Sequence, residues 1–494
     1  MYHIQNIQIG IKHELYPYCD RVTKAANNLK NATLYRCRQV LTAVDKEESS
    51  WTPNEREVME ETRLTAVNHE WQAPGKGTSF LSYVFLDALM KDTKNPDYYS
   101  ADLPRQSAQH TIKGVVRDMK SFYAAIRSYK KKPEPFTGRP ALPRYSRSGG
   151  NLFVRMTNQD CVIQEKAEHY FLKLPLTKTR CSIGAPSGKL KQVEIRPTHG
   201  IFVLTMIFDD GLDIPVLKES SRIASIDFGV DNFAAITNNI GEPCLLFKGG
   251  VIKSINQNYN KRLADIMSRE TIGTTKKFVP TPESRALTIR RNNQMDDFMH
   301  KFASRLMGWC REHQIDILVL GHNAGWKRES SMGSMGNQNF VQIPFSRAMQ
   351  ILEYLGERNG IRVIRQEESY TSKASFLDRD DIPVYHEGDA THHTFSGKRR
   401  PTRHAGMYKK EGFRGLYTSA NGIVINADLN GSANIGRKHF PDMYHEIAPD
   451  FSRVLVFKHP DQENQSTLRD KQCSVQRPIS RSKQHRLNRK HRVA

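Results

Sequence analysis

The chain has 494 residues, 38% of them hydrophobic, which is enough to bury more than one core and points to two or three domains rather than a stapled peptide. Its 74 Lys and Arg against 52 Asp and Glu leave a net charge of +22, a field that draws polyanions and disfavours cationic partners. The seven cysteines form no CxxC pair, which argues against a disulfide framework or a zinc ribbon, and no apolar run approaches the ~20 residues that span a bilayer.

The opening IQNIQIGI alternates with period two and predicts a strand; it lacks the continuous apolar stretch of a signal peptide, so a soluble intracellular protein is expected. From Tyr16 to about Val44, the spacing of Val22, Ala26, Leu29 and Tyr35 or Val40 suits a helix. KEESSWTPNE and NHEWQAPGKGTS are polar and carry breakers, so they read as interruptions. A second helix follows Pro104, with Ile112, Val115, Val116, Met119, Phe122 and Ile126 on one face and Lys113, Arg117, Lys120 and Arg127 on the other. That basic face is either an ordinary solvated surface or a nucleic-acid contact.

KKKPEPFTGRPALPRYSRSGG, which includes Arg139 and Arg144, cannot hold a helix, because its prolines lack amide donors, and it reads as a basic loop. Between Asn151 and Leu212, alternating segments such as QVEIR and IFVLTMIF predict a small antiparallel β unit. After Arg222, strands (RIASIDFG, AAITNN, CLLFKGG, ILVLG, RVIRQEES) alternate with helices around Met295–Trp309 and Ser346–Asn359, the pattern of an α/β domain. The last stretch, from about Arg469 to Arg492, is basic with hardly an apolar residue, and is expected to be a disordered tail that tracks phosphate.

Two aspartates recur in the same context. Asp227 ends the apolar strand of IASIDFGVDNFAAITN, and Asp428 follows the strand IVIN in NGIVINADLNGSANIGRK. A lone Asp at a strand end is most simply a cap or turn residue; two within one α/β domain fit oxygen ligation of Mg²⁺, since a buried carboxylate is costly unless paired or metal-bound. The small residues Gly431 and its neighbours would let a phosphate or metal approach the backbone.

These motifs resemble those of the TnpB family, the OrfB-type transposon-encoded RNA-guided nucleases, and of the compact type V CRISPR effectors related to them. SIDFGVDNFAAIT resembles the first RuvC motif and INADLNGSANIGRK the third, while GGVIKSINQNYNKRLA, NQNFVQIPF and EESYTSKASFLD resemble segments of a subgroup. The likeness is most specific from about Ile223 to Lys438, and weaker over LPRQSAQHTIKGVVRDMKSFYAAI and GRPALPRYSRS, which resemble a recognition helix and basic loop.

The sequence departs from the family in two places. Relatives carry the second RuvC carboxylate at the end of the strand that reads ILVLGHNAGWK, a position held here by Gly321, so the resemblance implies a relocated glutamate at the next strand end: Glu368, with Glu367 as the alternative. Relatives also carry a four-cysteine zinc site after TSK, whereas the segment here contains no cysteine. No zinc is therefore expected; His386, His392, His393 and His404 are too irregularly spaced for a metal site and read as solvated or phosphate-contacting. Lys398, Arg399, Arg400, Arg403, Lys409, Lys410 and Arg414 would instead hold a nucleic-acid strand. His300 reads as a packing or locally hydrogen-bonded residue, and Trp326 and Tyr370 either stack on bases or fill core.

The resemblance implies a multidomain α+β protein: a helical recognition region and β-barrel wedge domain followed by an RNase H-like (RuvC) α/β nuclease domain. The implied boundaries are a first wedge strand at 1–14, recognition helices at 15–135, the wedge barrel at 136–220, the RuvC core at 221–374, a basic insert at 375–417, the third RuvC motif at 418–440 and a basic, largely disordered tail at 441–494. It also implies an RNA-guided DNA endonuclease holding two Mg²⁺ ions on Asp227, Glu368 and Asp428. Its partners would be a guide RNA and target double-stranded DNA, contacted by Lys113, Arg117, Lys120, Arg127, Arg139, Arg144, Lys253, Lys398, Arg399, Arg400 and Arg403, with one copy or two on each RNA in a prokaryotic, nucleoid-associated setting. Competing expectations are a guided DNA-binding repressor that does not cut and a recombinase that uses no guide.

Overall fold

The computed structural model describes residues 1–213, 215, 222–273, 277–323, 341–384, 393–399 and 415–461. The chain divides into two compact units, Met1–Asp213 and Ile214–Ala494.

The first unit opens with β1 (Tyr2–Ile9) and four helices, α1 (Tyr16–Ala43), α2 (Pro53–Asn68), α3 (Tyr83–Asp92) and α4 (Arg105–Lys131). The helix α2 begins inside a stretch whose breakers suggest irregular chain. There Thr52 caps the amide of Glu55 while the Glu55 side chain accepts from the Thr52 amide, and Pro53 sits in the first turn where its missing N–H costs nothing. On α4 the predicted apolar face is buried through Met119 and half-buried at Phe122 and Ile126, and Lys113, Arg117, Lys120 and Arg127 are exposed.

Six more strands follow: β2 (Val154–Thr157), β3 (Val162–Lys166), β4 (His169–Lys173), β5 (Arg180–Ile183), β6 (Lys189–Thr198) and β7 (Ile201–Asp209). They make two open antiparallel sheets, β1-β7-β6-β2 and β3-β4-β5. The expected barrel differs in this respect, because among the described residues β3 to β5 pair only with one another and no ladder closes the first sheet. Helices and sheets share one core running from Ile9 to Phe208, so the helical and β regions pack as a single body.

The second unit is built on a six-stranded mixed sheet, with β8 (Ile223–Phe228), β9 (Asn232–Asn238), β10 (Cys244–Lys248), β11 (Ile317–Gly321), β12 (Arg362–Gln366) and β16 (Val454–Phe457) in the order β12-β11-β8-β9-β10-β16. The first three form an antiparallel meander, and β11 and β12 then add in parallel beside β8. It is the α/β domain expected of the second half, and the whole chain is a mixed α+β protein. Helices α5 (Gly250–Thr271), α6 (Pro282–Glu312) and α7 (Phe345–Asn359) flank the sheet, with Phe228, Phe233, Phe298, Phe302 and Phe345 interlocked edge to face and in stacks between sheet and helices. Helix α8 (Ala427–His439) packs against β8 and β9, with Leu429, Ala433 and Ile435 in a second cluster. Covered on both faces, the strands read as apolar runs rather than alternating ones. A small sheet of β13 (Lys398–Arg399), β14 (Leu416–Thr418) and β15 (Val424–Asn426) feeds directly into α8.

Candidate active site

The parallel register sets Leu320 beside Ile226 and Gly321 beside Gln366, so the C-terminal ends of β8, β11 and β12 share one edge, with β11 in the middle. Asp227 is the penultimate residue of β8, and Glu367 and Glu368 follow β12. Asp428 stands in the first turn of α8, whose N-cap Asn426 accepts from the amides of Asp428 at 2.9 Å and Leu429 at 3.1 Å. The backbone thus brings all the predicted acids to one end of the sheet.

Part of Asp227 reaches the surface, yet burial of its carboxyl pushes its pKa well above the usual carboxylate range, helped by the charges of Glu368 and Asp428 and opposed by Arg399. Two glycines make the approach possible. A Cβ at Gly321 would lie 2.7 Å from Glu368 Oε2, 2.6 Å from Ile435 Cδ1 and 3.2 Å from the Ile226 carbonyl oxygen, so the Glu368 carboxylate lies over the end of β11 in space that any side chain at 321 would contest. A Cβ at Gly431 would run into Asp227 Oδ2, with Asp227 Cγ only 3.3 Å away. Gly436 similarly admits the Ser225 side chain. Gly431 and Gly436 thus serve close packing of α8 on β8.

The two glutamates have different surroundings. Glu367 accepts from Lys438 Nζ at 2.7 Å and from the Ser369 amide at 2.6 Å; burial works to raise its pKa, but these bonds hold it below the usual range. Glu368 is the one whose charge is felt at Asp227. The turn after it is gripped by α8: Asn430 Nδ2 donates to Ala374 O at 2.8 Å, the Phe376 amide donates to Asn430 Oδ1 at 3.0 Å, and Asn434 Nδ2 donates to Thr371 O at 2.9 Å. Asp428 is held on both oxygens, accepting from Asn232 Nδ2 at 2.7 Å and from Arg399 Nη2 at 3.1 Å, while Lys248 Nζ donates to Asn232 Oδ1 at 2.9 Å. Sequence reasoning missed Asn232 and Lys248; Asn232 and Asp428 are separated by 196 residues, and no local pattern announces that pairing.

Among the described residues no three His, Cys, Asp or Glu side chains are already gathered into a metal-ligand shell. The donors nevertheless fit a hard divalent cation, because carboxylate oxygens are its preferred ligands and a cation would offset both the burial and the repulsion by Glu368 and Asp428 that raise Asp227.

The basic candidates are dispersed. Lys113, Arg117, Lys120, Arg127, Arg139 and Arg144 are exposed in the first unit, where Lys113 lies 4.7 Å from the Tyr83 ring centroid and Lys120 lies 6.0 Å from that of Phe80. Lys253 pairs with Asp231, and Lys398 is exposed on β13 beside Arg399. Arg400, Arg403, Lys409, Lys410, Arg414, His386, His392, His404, Trp326 and the tail from 462 onward lie outside the described residues. His393 meets the Tyr370 ring edge to face at 5.0 Å, and His300 is exposed beside Asp296 and Arg347 rather than packed in core. Among the described residues six cysteines are buried free thiols, and no helix is long and apolar enough to cross a membrane.

No curated protein matches the chain. Solved structures to which it is similar include a Cas12f1–sgRNA–target DNA complex (11% identity over 84% of this chain and 81% of that one, TM-score 0.46). Others are CasPhi-2 (Cas12j) bound to crRNA and phosphorothioate-DNA (8%, 88% and 91%, TM-score 0.36) and Alicyclobacillus acidoterrestris C2c1 with single-guide RNA (9%, 84% and 69%, TM-score 0.28). Likenesses this distant do not extend to individual residues or their chemistry. Two family models match directly, the probable transposase family OrfB_IS605 over residues 203–327 and the Cas12f1-like TNB domain over residues 345–435. Residues 203–327 are thus similar to the OrfB_IS605 family and residues 345–435 to the Cas12f1-like TNB domain.

Proposed function

We propose that the protein is an RNA-guided DNA endonuclease whose cutting centre is formed by Asp227, Glu368 and Asp428. The observation that carries this reading is the Asp227 carboxyl, enclosed at a strand end with its pKa raised by burial and by the charges of Glu368 and Asp428, within a chain that matches OrfB_IS605 and Cas12f1-like models. Strongly perturbed acids with a specific charge partner cluster at functional sites. Asp227, Glu368 and Asp428 would hold Mg²⁺, which when bound activates water and stabilises charge developing on the scissile phosphate. Arg399, half-exposed beside Asp428, is placed to offer its guanidinium to a phosphate oxygen of the strand being cut. The basic helix face of Lys113, Arg117, Lys120 and Arg127, with Arg139 and Arg144, would grip the backbone of the guide RNA and its DNA duplex, sequence choice being left to base pairing.

Expression from the native locus followed by sequencing of copurified RNA tests the guide. Interference with a plasmid carrying the matching target tests the chemistry: Asp227→Ala, Glu368→Ala and Asp428→Ala are expected to abolish cutting, with wild-type products bearing 5′-phosphate and 3′-hydroxyl ends. Absence of any bound RNA, or undiminished cutting by Asp227→Ala, overturns the reading.

A further inference from the structure

Asp428 is held from two sides of different character. Its Oδ2 accepts from Asn232, which is only 6% exposed, whereas its Oδ1 accepts from Arg399, whose side chain is 49% exposed. Behind Asn232 stands Lys248, donating to the amide oxygen. A lysine can only donate and a carboxylate can only accept, so the Asn232 amide between them has one orientation that satisfies both. The ammonium also polarises the amide, strengthening the bond that reaches Asp428.

This arrangement is built into the sheet by a bulge. The β9–β10 ladder runs Leu246 opposite Ala235 and Phe247 opposite Ala234, then shifts so that Lys248 stands opposite Asn232. In an unbroken ladder Lys248 would face Phe233, which is fully buried and packed against Phe298 and Phe302 at ring distances of 5.2 and 4.9 Å. A charged lysine has no partner there, so the shift re-aims it at the one amide that can receive it. The chain is then pinned, as the Gly249 amide donates to Asp231 O at 2.9 Å and a Cβ at Gly249 would run into Val230 O.

We propose that Lys248 and Asn232 are positioning residues that dedicate Oδ2 of Asp428 to the protein and leave Oδ1 as the oxygen exchanged from Arg399 to a divalent cation. The inference rests on the proposed nuclease function, and its test separates the two. The full chain without nucleic acid is titrated with Mn²⁺ by calorimetry, alongside Lys248→Met, Lys248→Arg, Asn232→Ala and Asp227→Ala, with thermal unfolding to confirm folding. Lys248→Met and Asn232→Ala are expected to weaken Mn²⁺ binding about tenfold or more, and Lys248→Arg to restore it to within about twofold of wild type. Asn232→Ala empties a buried position, so Lys248→Met, at a half-buried one, is the deciding variant. Wild-type Mn²⁺ affinity in a folded Lys248→Met, with binding lost in Asp227→Ala, overturns the relay alone. Equal binding, or none, in wild type and Asp227→Ala overturns the metal centre itself.

Discussion

At the residue scale, Glu367 and Glu368 are neighbours in sequence with opposite environments, and their removal should separate stability from chemistry. Glu367→Gln removes the negative charge opposite a Lys438 ammonium that is only 6% exposed, and is expected to cost about 1 kcal/mol, discounted because Glu367 itself is 39% exposed, while leaving cutting intact. Glu368→Gln should leave stability unchanged or raised and abolish cutting; denaturant titration and a cleavage assay on both variants check the split. Asp227 predicts a pH effect. Its native pKa lies above the unfolded value, so in the window between them the native state binds more protons and metal-free stability falls as pH rises. Asp227→Asn in EDTA should lose that slope in a plot of thermal midpoint against pH; parallel curves for the two proteins would argue against it. The Gly321 contact makes a third case: Gly321→Ala is expected to destabilise by about 1–3 kcal/mol through overpacking against Glu368 and Ile435, and Glu368→Ala should suppress part of that cost in a double-mutant cycle.

At the element scale, the register of β8, β11 and β12 explains how a glutamate from one strand can reach an aspartate two strands away, neighbouring strands being about 4.8 Å apart. The intervening strand has to end without a side chain, and it ends in Gly321. Helix α8 holds the other half of the site by its first turn, its Asn426 cap and the amides of Asn430 and Asn434 that clasp the 371–376 turn. In the first unit, the capping box of α2 is a local device whose loss should be measurable by itself: Thr52→Ala is expected to cost about 1 kcal/mol without affecting the acidic site, read by denaturant unfolding.

At the scale of the whole molecule, the +22 charge predicts that nucleic-acid binding under the proposed function would be dominated by phosphate contacts and counterion release. Affinity for a duplex should fall by orders of magnitude between 50 and 200 mM salt, and replacing Lys113, Arg117, Lys120 and Arg127 together should flatten the slope of log K against log salt by up to about 3–4. An unchanged slope would assign that helix face to solvent.

Periodicity and punctuation made much of this protein legible before any tertiary structure: the α1 and α4 stripes, the change from a β unit to alternating strands and helices near residue 222, and two aspartates at strand ends. These are short-range properties, set by side-chain spacing along one element. Helix α2 escaped notice because its cap and first-turn proline look like breakers when read one residue at a time. What only the tertiary structure decided are relations between distant positions: Glu368 lying over Gly321, Lys438 claiming Glu367, and Lys248 reaching Asp428 through Asn232 across a bulged ladder. Such pairings depend on strand order and register, which emerge when the sheet assembles and leave no trace in local spacing.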